Sequence, residues 1–506
     1  MGMGMFQKPK YFLWVKALAL LSSPEHTDKW HCYKYRQGLY FYAMLGILRK
    51  KPIDKLIEVL GKSKVNTSLV ERKLYSYDAT PIPIERAMPS AVVFPESHED
   101  VVKLVKVCYE ENIPIFPRGA GSGLTGGAVP TLEKGIVVSF ERMNRFEVNV
   151  DNATAEVQPG VITSQFQEYV ERLGLFYPPD PSSFKYSTLG GNIAENAGGP
   201  RCLKYGVTRE YVLGLTAVIK EGHTLKTGNP IIKDVAGYDI TKLFVGSEGT
   251  LGLITSATLK LIPKPKARAT ALALFNKLED VGRAVTKIFT SGIFPSALEF
   301  MDSDAIRAVE DYKPVGLPKV EALLLIEVDG SPQSVVEDLK QIEELLRPMG
   351  VEVLVAKSKE EEEKLWSARK SLGPALGNLR TGKINEDIVI PRIYLSEAIP
   401  EFRKIAQKYG LLMVIFGHIG DGNLHVNLLY DKANREEEER AERAVDEVFE
   451  LALRYNGSIT GEHGVGLTKK KFLRWQFGDV GYELLKGIKL LFDPKNLFNP
   501  GKVVEV

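Results

Sequence analysis

From residue 90 onward the apolar positions switch repeatedly between a strand period and a helix period. AVVFP (91–95) reads as a short buried strand, and in VVKLVKVCYEEN (101–112) the apolar residues recur at the spacing of one helix face. Ser97, with Asp100 three positions later, predicts a capping box where that helix begins. Further strands are predicted at IPIFP (113–117), GIVVSF (135–140), TAEVQPG (154–160), LGLTAVIK (213–220) and LGLITSATLKLIP (251–263), separated by glycine-bearing turns. Residues 87–264 thus read as one α+β domain, preceded by a helical lead-in (51–86) and closed by a linker, KPKAR (264–268).

A different rhythm follows. ATALALF (269–275), a helix over 280–289, ALEFM (297–301), ALLLIEV (322–328), a helix over 335–346 and VEVLVA (351–356) give the order βαββαβ. That is the ferredoxin-like arrangement, a sheet with helices on one face. A charged helix runs from Glu360 to Leu372 with Arg369 near its end, and residues 411–506 add two apolar strands around a glycine-rich turn, an acidic helix (435–455) and a terminal FNPGK. The boundaries read as 269–460 for the second domain and 461–506 for a closing segment.

Composition narrows the partners. Lys and Arg total 66 against 64 Asp and Glu, a formal charge of +2 in 506 residues, and no basic tract is interleaved with aromatics, which argues against a nucleic-acid groove. The three cysteines, Cys32, Cys108 and Cys202, form no CxxC pair, which fits a reducing cytoplasmic compartment. They are too few for an iron–sulfur cluster, so electrons collected here must leave through a partner. The apolar runs YFLWVKALALL (11–21) and GLYFYAMLGIL (38–48) are short for a bilayer span. For this extension (1–50) two readings stand: a peripheral membrane contact at the inner face, or sequence upstream of a natural start at Met44.

RGAGSGLTGGAVP (118–130) satisfies GxGxxG through Gly121, Gly123 and Gly126, with Glu141 twenty residues after Gly121. The context excludes a Rossmann unit, because Gly127, Pro130 and Gly135 leave no room for the helix that must open at the third glycine. A P-loop is excluded by the missing GK[ST] ending. Bare backbone N–H groups that can wrap an anion remain, beside the bland alternative of a flexible surface loop. Two more glycine-rich blocks, PPDPSSFKYSTLGGNIAENAGGPRCLKYG (178–206) and KLFVGSEGTLGLIT (242–255), favour an extended polar ligand.

Three of the seven histidines fall in GHIGDGNLHVN (417–427) and GEHGVG (461–466). The first motif can turn His418 and His425 to one side, and Glu462 offers a carboxylate. Two imidazoles and a carboxylate suit zinc, iron or manganese with positions left open. The alternative is a polar turn held by hydrogen bonds.

Taken together, the three glycine blocks and the terminal NPGK resemble the FAD-linked oxidase family of the vanillyl-alcohol oxidase type, in its branch of glycolate oxidase catalytic subunits and D-lactate dehydrogenases. The resemblance implies an α+β fold: a PCMH-type, two-subdomain FAD-binding domain, a ferredoxin-like substrate or cap domain, and a C-terminal helical segment. It implies FAD contacts from Arg118, Gly119, Ala120, Gly121, Ser122, Gly123, Thr125 and Gly126. The second block would contribute Pro179, Gly190, Gly191, Asn192, Asn196, Gly198 and Gly199; the third Glu248, Gly249, Gly252 and Ile254; and the C-terminus Asn499. No histidine lies between Phe116 and Pro130, so non-covalent FAD is expected.

The same resemblance implies a divalent metal on His418, His425 and Glu462, His463 as base, Asn423 and Asn427 as orienting groups, and Arg369 as a bidentate partner of a carboxylate. If the 461–466 segment is extended, Glu462 and His463 point to opposite sides. The implied reaction oxidises a D-2-hydroxy acid, with electrons passing to an iron–sulfur subunit, cytochrome, quinone or electron-transfer flavoprotein, within a homo- or hetero-oligomer. Members acting on 2-hydroxyglutarate are expected to carry a basic residue in the strand matching KINEDIVIP (383–391). Here Asn385 and Glu386 stand near Asp387, which favours lactate or glycolate. Another alcohol class, or a non-catalytic flavin subunit, are the alternatives.

Overall fold

Eighteen strands occur among the described residues, which are 51–81, 84 and 86–506 of this computed structural model, some alternating in burial and others buried on both faces. The extension 1–50, with its membrane-contact and Met44 readings, lies outside the described residues. Lys55–Val506 form one unit.

The first sheet has the order β1-β2-β4-β3, from Val65–Asn66 (β1), Ala91–Val93 (β2), Ile115–Arg118 (β3) and Ile136–Ser139 (β4). The second is antiparallel, in the order β5-β6-β10-β8-β9. Its strands are Phe146–Asn149 (β5), Thr154–Val157 (β6), Val212–Val218 (β8), Thr224–Gly228 (β9) and Leu253–Lys260 (β10). Leu175–Phe176 (β7) pairs with Ile262–Pro263 (β11). Two sheets ahead of residue 264 agree with a two-part α+β architecture. At the 98–111 helix, Ser97 accepts from the Asp100 N–H at 3.2 Å. The reciprocal half of the expected capping box is absent, because the Asp100 carboxylate accepts instead from the Glu96 N–H and pairs with Lys64 at 2.6 Å.

The third sheet has seven strands: Ala267–Phe275 (β12), Ala297–Asp302 (β13), Ala322–Gly330 (β14), Glu352–Val355 (β15), Gly382–Val389 (β16), Leu412–Gly417 (β17) and Asn423–Tyr430 (β18). Its order, β15-β12-β14-β13-β17-β18-β16, begins with the ferredoxin-like four and extends past β13. Helices cover both faces rather than the expected one. Leu324 and Ile326 pack with Val281, Val285 and Ile342, whereas Leu323 and Leu325 pack with Val309, Leu372 and Leu376. The uninterrupted apolar run of β14 puts large side chains on both sides of the pleat, so each side needs a cover. The helix Ser303–Tyr312, missed in the sequence, supplies part of the second cover, and Asp302 caps it by accepting from the Ala305 N–H at 2.8 Å.

A buried ionic cluster ties the second glycine block to the polar end of β14. Arg201 pairs with Asp180 at 2.6 Å and with Glu327 at 3.0 Å, while Lys204 reaches Asp329 at 2.6 Å and the Tyr205 hydroxyl donates to Asp329 at 2.7 Å. Removing one member of a buried pair strands its partner's charge. Arg201→Met should therefore cost about 3–5 kcal/mol in chemical denaturation. The control Arg172→Met, whose Glu168 pair is solvent-exposed, should cost less than about 1 kcal/mol.

Candidate active site

One cavity, of about 300 Å³, collects all three glycine blocks and the segment 462–463. Its walls include Arg118, Gly119, Ala120, Gly121, Ser122 and Gly123 from the first block. Gly190, Gly191, Asn192 and Gly198 line it from the second, Glu248, Gly249, Gly252 and Ile254 from the third, and Glu462 and His463 complete it. The backbone needs the missing side chains here: Gly249 has φ 68°, and a Cβ on it would overlap Pro117. At Gly123, by contrast, a Cβ would project to within 3.8 Å of no atom except the Glu195 carboxylate, so this wall is bare backbone of the sort that suits an extended anionic ligand.

Six of the expected residues are not among those that line this cavity. Thr125 is buried, with its hydroxyl donating to the His463 carbonyl at 3.2 Å, and Gly126 packs against Ile84 and Leu467. The Pro179 carbonyl accepts from Gln167 at 2.9 Å. Asn196, in the left-handed region, ends the 189–195 helix and accepts from the Arg209 N–H at 2.9 Å. Gly199 packs on Asp180. Asn499 donates to the carbonyls of Gly127 at 2.9 Å and Glu248 at 2.7 Å, joining the first block to the third. Each supports a wall that the ligand would touch through its neighbours.

The segment 461–466 is held by its backbone from two sides. Asp387 Oδ2 accepts from the N–H groups of Gly461 (2.9 Å), Glu462 (2.9 Å) and His463 (3.0 Å), and from the Thr460 hydroxyl (3.0 Å). Glu248 accepts from the Val465 and Gly466 N–H groups, both at 2.7 Å. Burial opposes the charge on Asp387, but His463, Lys469 and the converging N–H groups hold its pKa well below the usual value. Three successive amides aimed at one oxygen require a curled backbone, and Gly464 (φ 76°) and Gly466 (φ 52°) complete the turn. That overturns the extended reading: Glu462 and His463 face the same cavity, with His463 Nε2 3.9 Å from the Glu462 carboxylate.

Around Glu462 gather the two histidines of the other motif. His418 Nε2 lies 3.1 Å and His425 Nε2 3.4 Å from Glu462 Oε1, and the ligand atoms of the three lie within 4.8 Å of one another. Burial disfavours charge on His418, yet Glu299 and Glu462 hold its pKa well above the usual value. Burial and then the stacked His463 ring hold His425 well below it, leaving a neutral imidazole. Glu462, despite its burial, is kept down at about 2 by His418, with help from His425 and His463. Two imidazoles and an ionised carboxylate meeting at one point are a donor set that could hold a divalent cation.

Arg369 is buried over the Phe416 ring, 4.9 Å from its centre, with Nε 2.7 Å from Glu299. Asn423 donates to Asp387 at 2.6 Å, and Asn427 donates to the carbonyls of Val414 and His425. Asn427 faces Asn385 across β18 and β16, and both side-chain oxygens are buried without a partner. Three carboxylates of the site escaped sequence reasoning. Glu299 carried one usable signal, an acid between the apolar residues of its strand, whereas Asp387 stands among Lys383, Asn385 and Glu386 and carried none. Glu195 lines the cavity, and burial, then Glu248, raises its pKa well above the ordinary value.

Residues 89–228 match the family described as FAD binding domain, and residues 264–503 that described as FAD linked oxidases, C-terminal domain. The chain is 45% identical over 460 residues to the glycolate oxidase subunit GlcD of Bacillus subtilis, covering 90% of this chain and 97% of that one. It is 36% identical to the D-lactate dehydrogenase of Anaerostipes hadrus, covering 83% and 90%. p-Cresol methylhydroxylase shares the fold, with a TM-score of 0.75 at 19% identity, over 90% of this chain and 96% of that one.

Asp387 carries the pH test. Its folded pKa is depressed below the unfolded value of about 3.9, so its contribution is complete above about pH 4 and is lost as pH falls through the folded value. Asp387→Asn should lower stability at neutral pH by on the order of 3 kcal/mol, since an amide group cannot accept from all the donors. It should also flatten the loss of stability below about pH 4, as read by denaturant unfolding across pH. Hydrogen exchange at residues 461–463 should rise in the same variant.

Proposed function

The chain belongs to the FAD-linked oxidase family, and from that membership we propose a dehydrogenase that converts a D-2-hydroxy acid, with D-lactate or glycolate favoured, to the 2-oxo acid. The observation that carries this reading is the cavity itself: the three glycine blocks and His463 share one space, and Glu462 joins that space to His418 and His425. Relatives named glycolate oxidase subunit and D-lactate dehydrogenase support the substrate class. Residues 87–264 are assigned to non-covalent FAD, 269–460 to the substrate, and 461–506 to the segment that returns to the flavin.

Bound FAD supplies a hydride acceptor, and a divalent metal on His418, His425 and Glu462 supplies a Lewis acid that favours ionisation of the substrate hydroxyl. His463 takes the hydroxyl proton as general base, in a ring fixed by stacking on His425 and by the backbone contact of its own N–H to Asp387. Arg369 binds the carboxylate common to all 2-hydroxy acids. Asn427 and Asn385 offer unpartnered amide oxygens to neutral donors rather than a cation to a second carboxylate. Lys383 stands four residues along β16 from Asp387, about 13 Å of strand away, so 2-hydroxyglutarate is the weaker reading. Electrons then pass to an external acceptor such as an iron–sulfur subunit, cytochrome, quinone or electron-transfer flavoprotein, in a homo- or hetero-oligomer.

Anaerobic addition of D-lactate or glycolate to the purified flavoprotein should bleach its visible absorbance, with D-2-hydroxyglutarate and L-lactate slower. No bleaching by any hydroxy acid would sink the reading. His463→Gln should keep its flavin and reduce the rate of bleaching by about 10²–10⁴-fold.

A further inference from the structure

We infer that Glu299 is a positioning residue whose two carboxylate oxygens fix a metal ligand and the substrate's carboxylate partner at once. The inference rests on the roles proposed above for His418 and Arg369. Strand β13 alternates Leu298 and Phe300 into one core with Glu299 and Met301 toward the opposite face, so the pleat aims Glu299 at the site. Its side chain is fully buried, where a carboxylate is stable only with partners for its charge. Oε1 lies 2.6 Å from His418 Nδ1, and Oε2 forms an ion pair with Arg369 Nε at 2.7 Å.

Each contact has a chemical consequence. A carboxylate oxygen this close accepts a proton from His418 Nδ1, so Nε2, the nitrogen that faces Glu462, is the one that would turn a lone pair to a bound cation. On the other side Nε is held beside Glu299 Oε2 by charge at 2.7 Å, without an aligned hydrogen bond, and Phe416 covers one face of the guanidinium, which leaves the Nη1/Nη2 end of Arg369 for a substrate carboxylate. Nη2 is buried without a hydrogen-bond partner. The expected bidentate fork is thereby restricted to end-on approach, and the same rigid group sets the distance from that fork to the imidazole.

Glu299→Gln is isosteric but replaces one acceptor with an NH₂ donor, so it cannot satisfy both neighbours. Zn²⁺ and Mn²⁺ are titrated calorimetrically into chelator-stripped flavoprotein of the parent, Glu299→Gln and His418→Ala. The expected result for Glu299→Gln is a metal Kd about 10–100-fold weaker. KM for the hydroxy acid should also rise, while flavin content stays at the parental value. Parental metal affinity in Glu299→Gln, with binding lost in His418→Ala, overturns the inference and spares the metal reading. Parental affinity in His418→Ala overturns the metal reading and the inference with it. An unchanged KM overturns the Arg369 half. Should Glu299→Gln fail to fold, the unaltered, zinc-loaded protein labelled with ¹⁵N-histidine decides: His418, identified as the signal missing from His418→Ala, carries its proton on Nδ1, and a proton on Nε2 overturns the inference.

Discussion

Two buried carboxylates, one on a strand and one in a glycine-rich turn, hold one six-residue loop by its backbone N–H groups. Asp387, at the end of β16, takes those of Gly461, Glu462 and His463, and Glu248, in the third glycine block, takes those of Val465 and Gly466. Side chains in the loop are therefore placed by main-chain bonds and remain free to face the cavity. Glu462 reaches toward His418, just past β17, and His425 on β18 while His463 lines the glycine cavity, and the two halves of the proposed chemistry meet in adjacent residues. The Thr125 hydroxyl bond to the His463 carbonyl and the Leu467 N–H bond to the Thr125 carbonyl add to the clamp in aligning the cavity with the histidine cluster.

The charges around this loop follow a consistent pattern. Most buried acids of the site are matched either to several N–H groups, as in Asp387 and Glu248, or to a cationic side chain, as in Glu299 with Arg369 and Glu327 with Arg201; Glu195, beside Glu248, is the exception. Such pairs add little net stability beside apolar packing of the same volume, but they tolerate few alternative arrangements. Their concentration where the second glycine block, the third sheet and the closing segment meet fixes how those parts fit.

Legibility in the sequence depended on whether a signal was local. Glycine blocks, the strand and helix periods and the two histidine motifs declare themselves within a dozen residues, and the cavity gathers most of the glycine-block positions anticipated from them. Thr125, Pro179, Asn196 and Asn499 were harder to place, because a residue that touches a ligand and one that braces the ligand's wall share the same motif. Glu299 could be noticed as an acid among apolar strand residues and Asp387 could not, and the partners of Asp387 and Glu299 lie 74 and 119 residues away in the chain, at Gly461 and His418. The side of the loop on which His463 lies depended on a curl that the Asp387 bonds impose, which no pattern within GEHGVG encodes.

Asn499 bonds the carbonyls of Gly127 and Glu248, and so it stitches together two blocks that were made long before it. On the ribosome, the glycine blocks emerge first, while the loop bearing Glu462 and His463, and then Asn499, emerge last. A chain that stops short of residue 499 lacks the two bonds that join the first block to the third. The last stitch of the cradle is thus made by a residue translated after both histidine motifs.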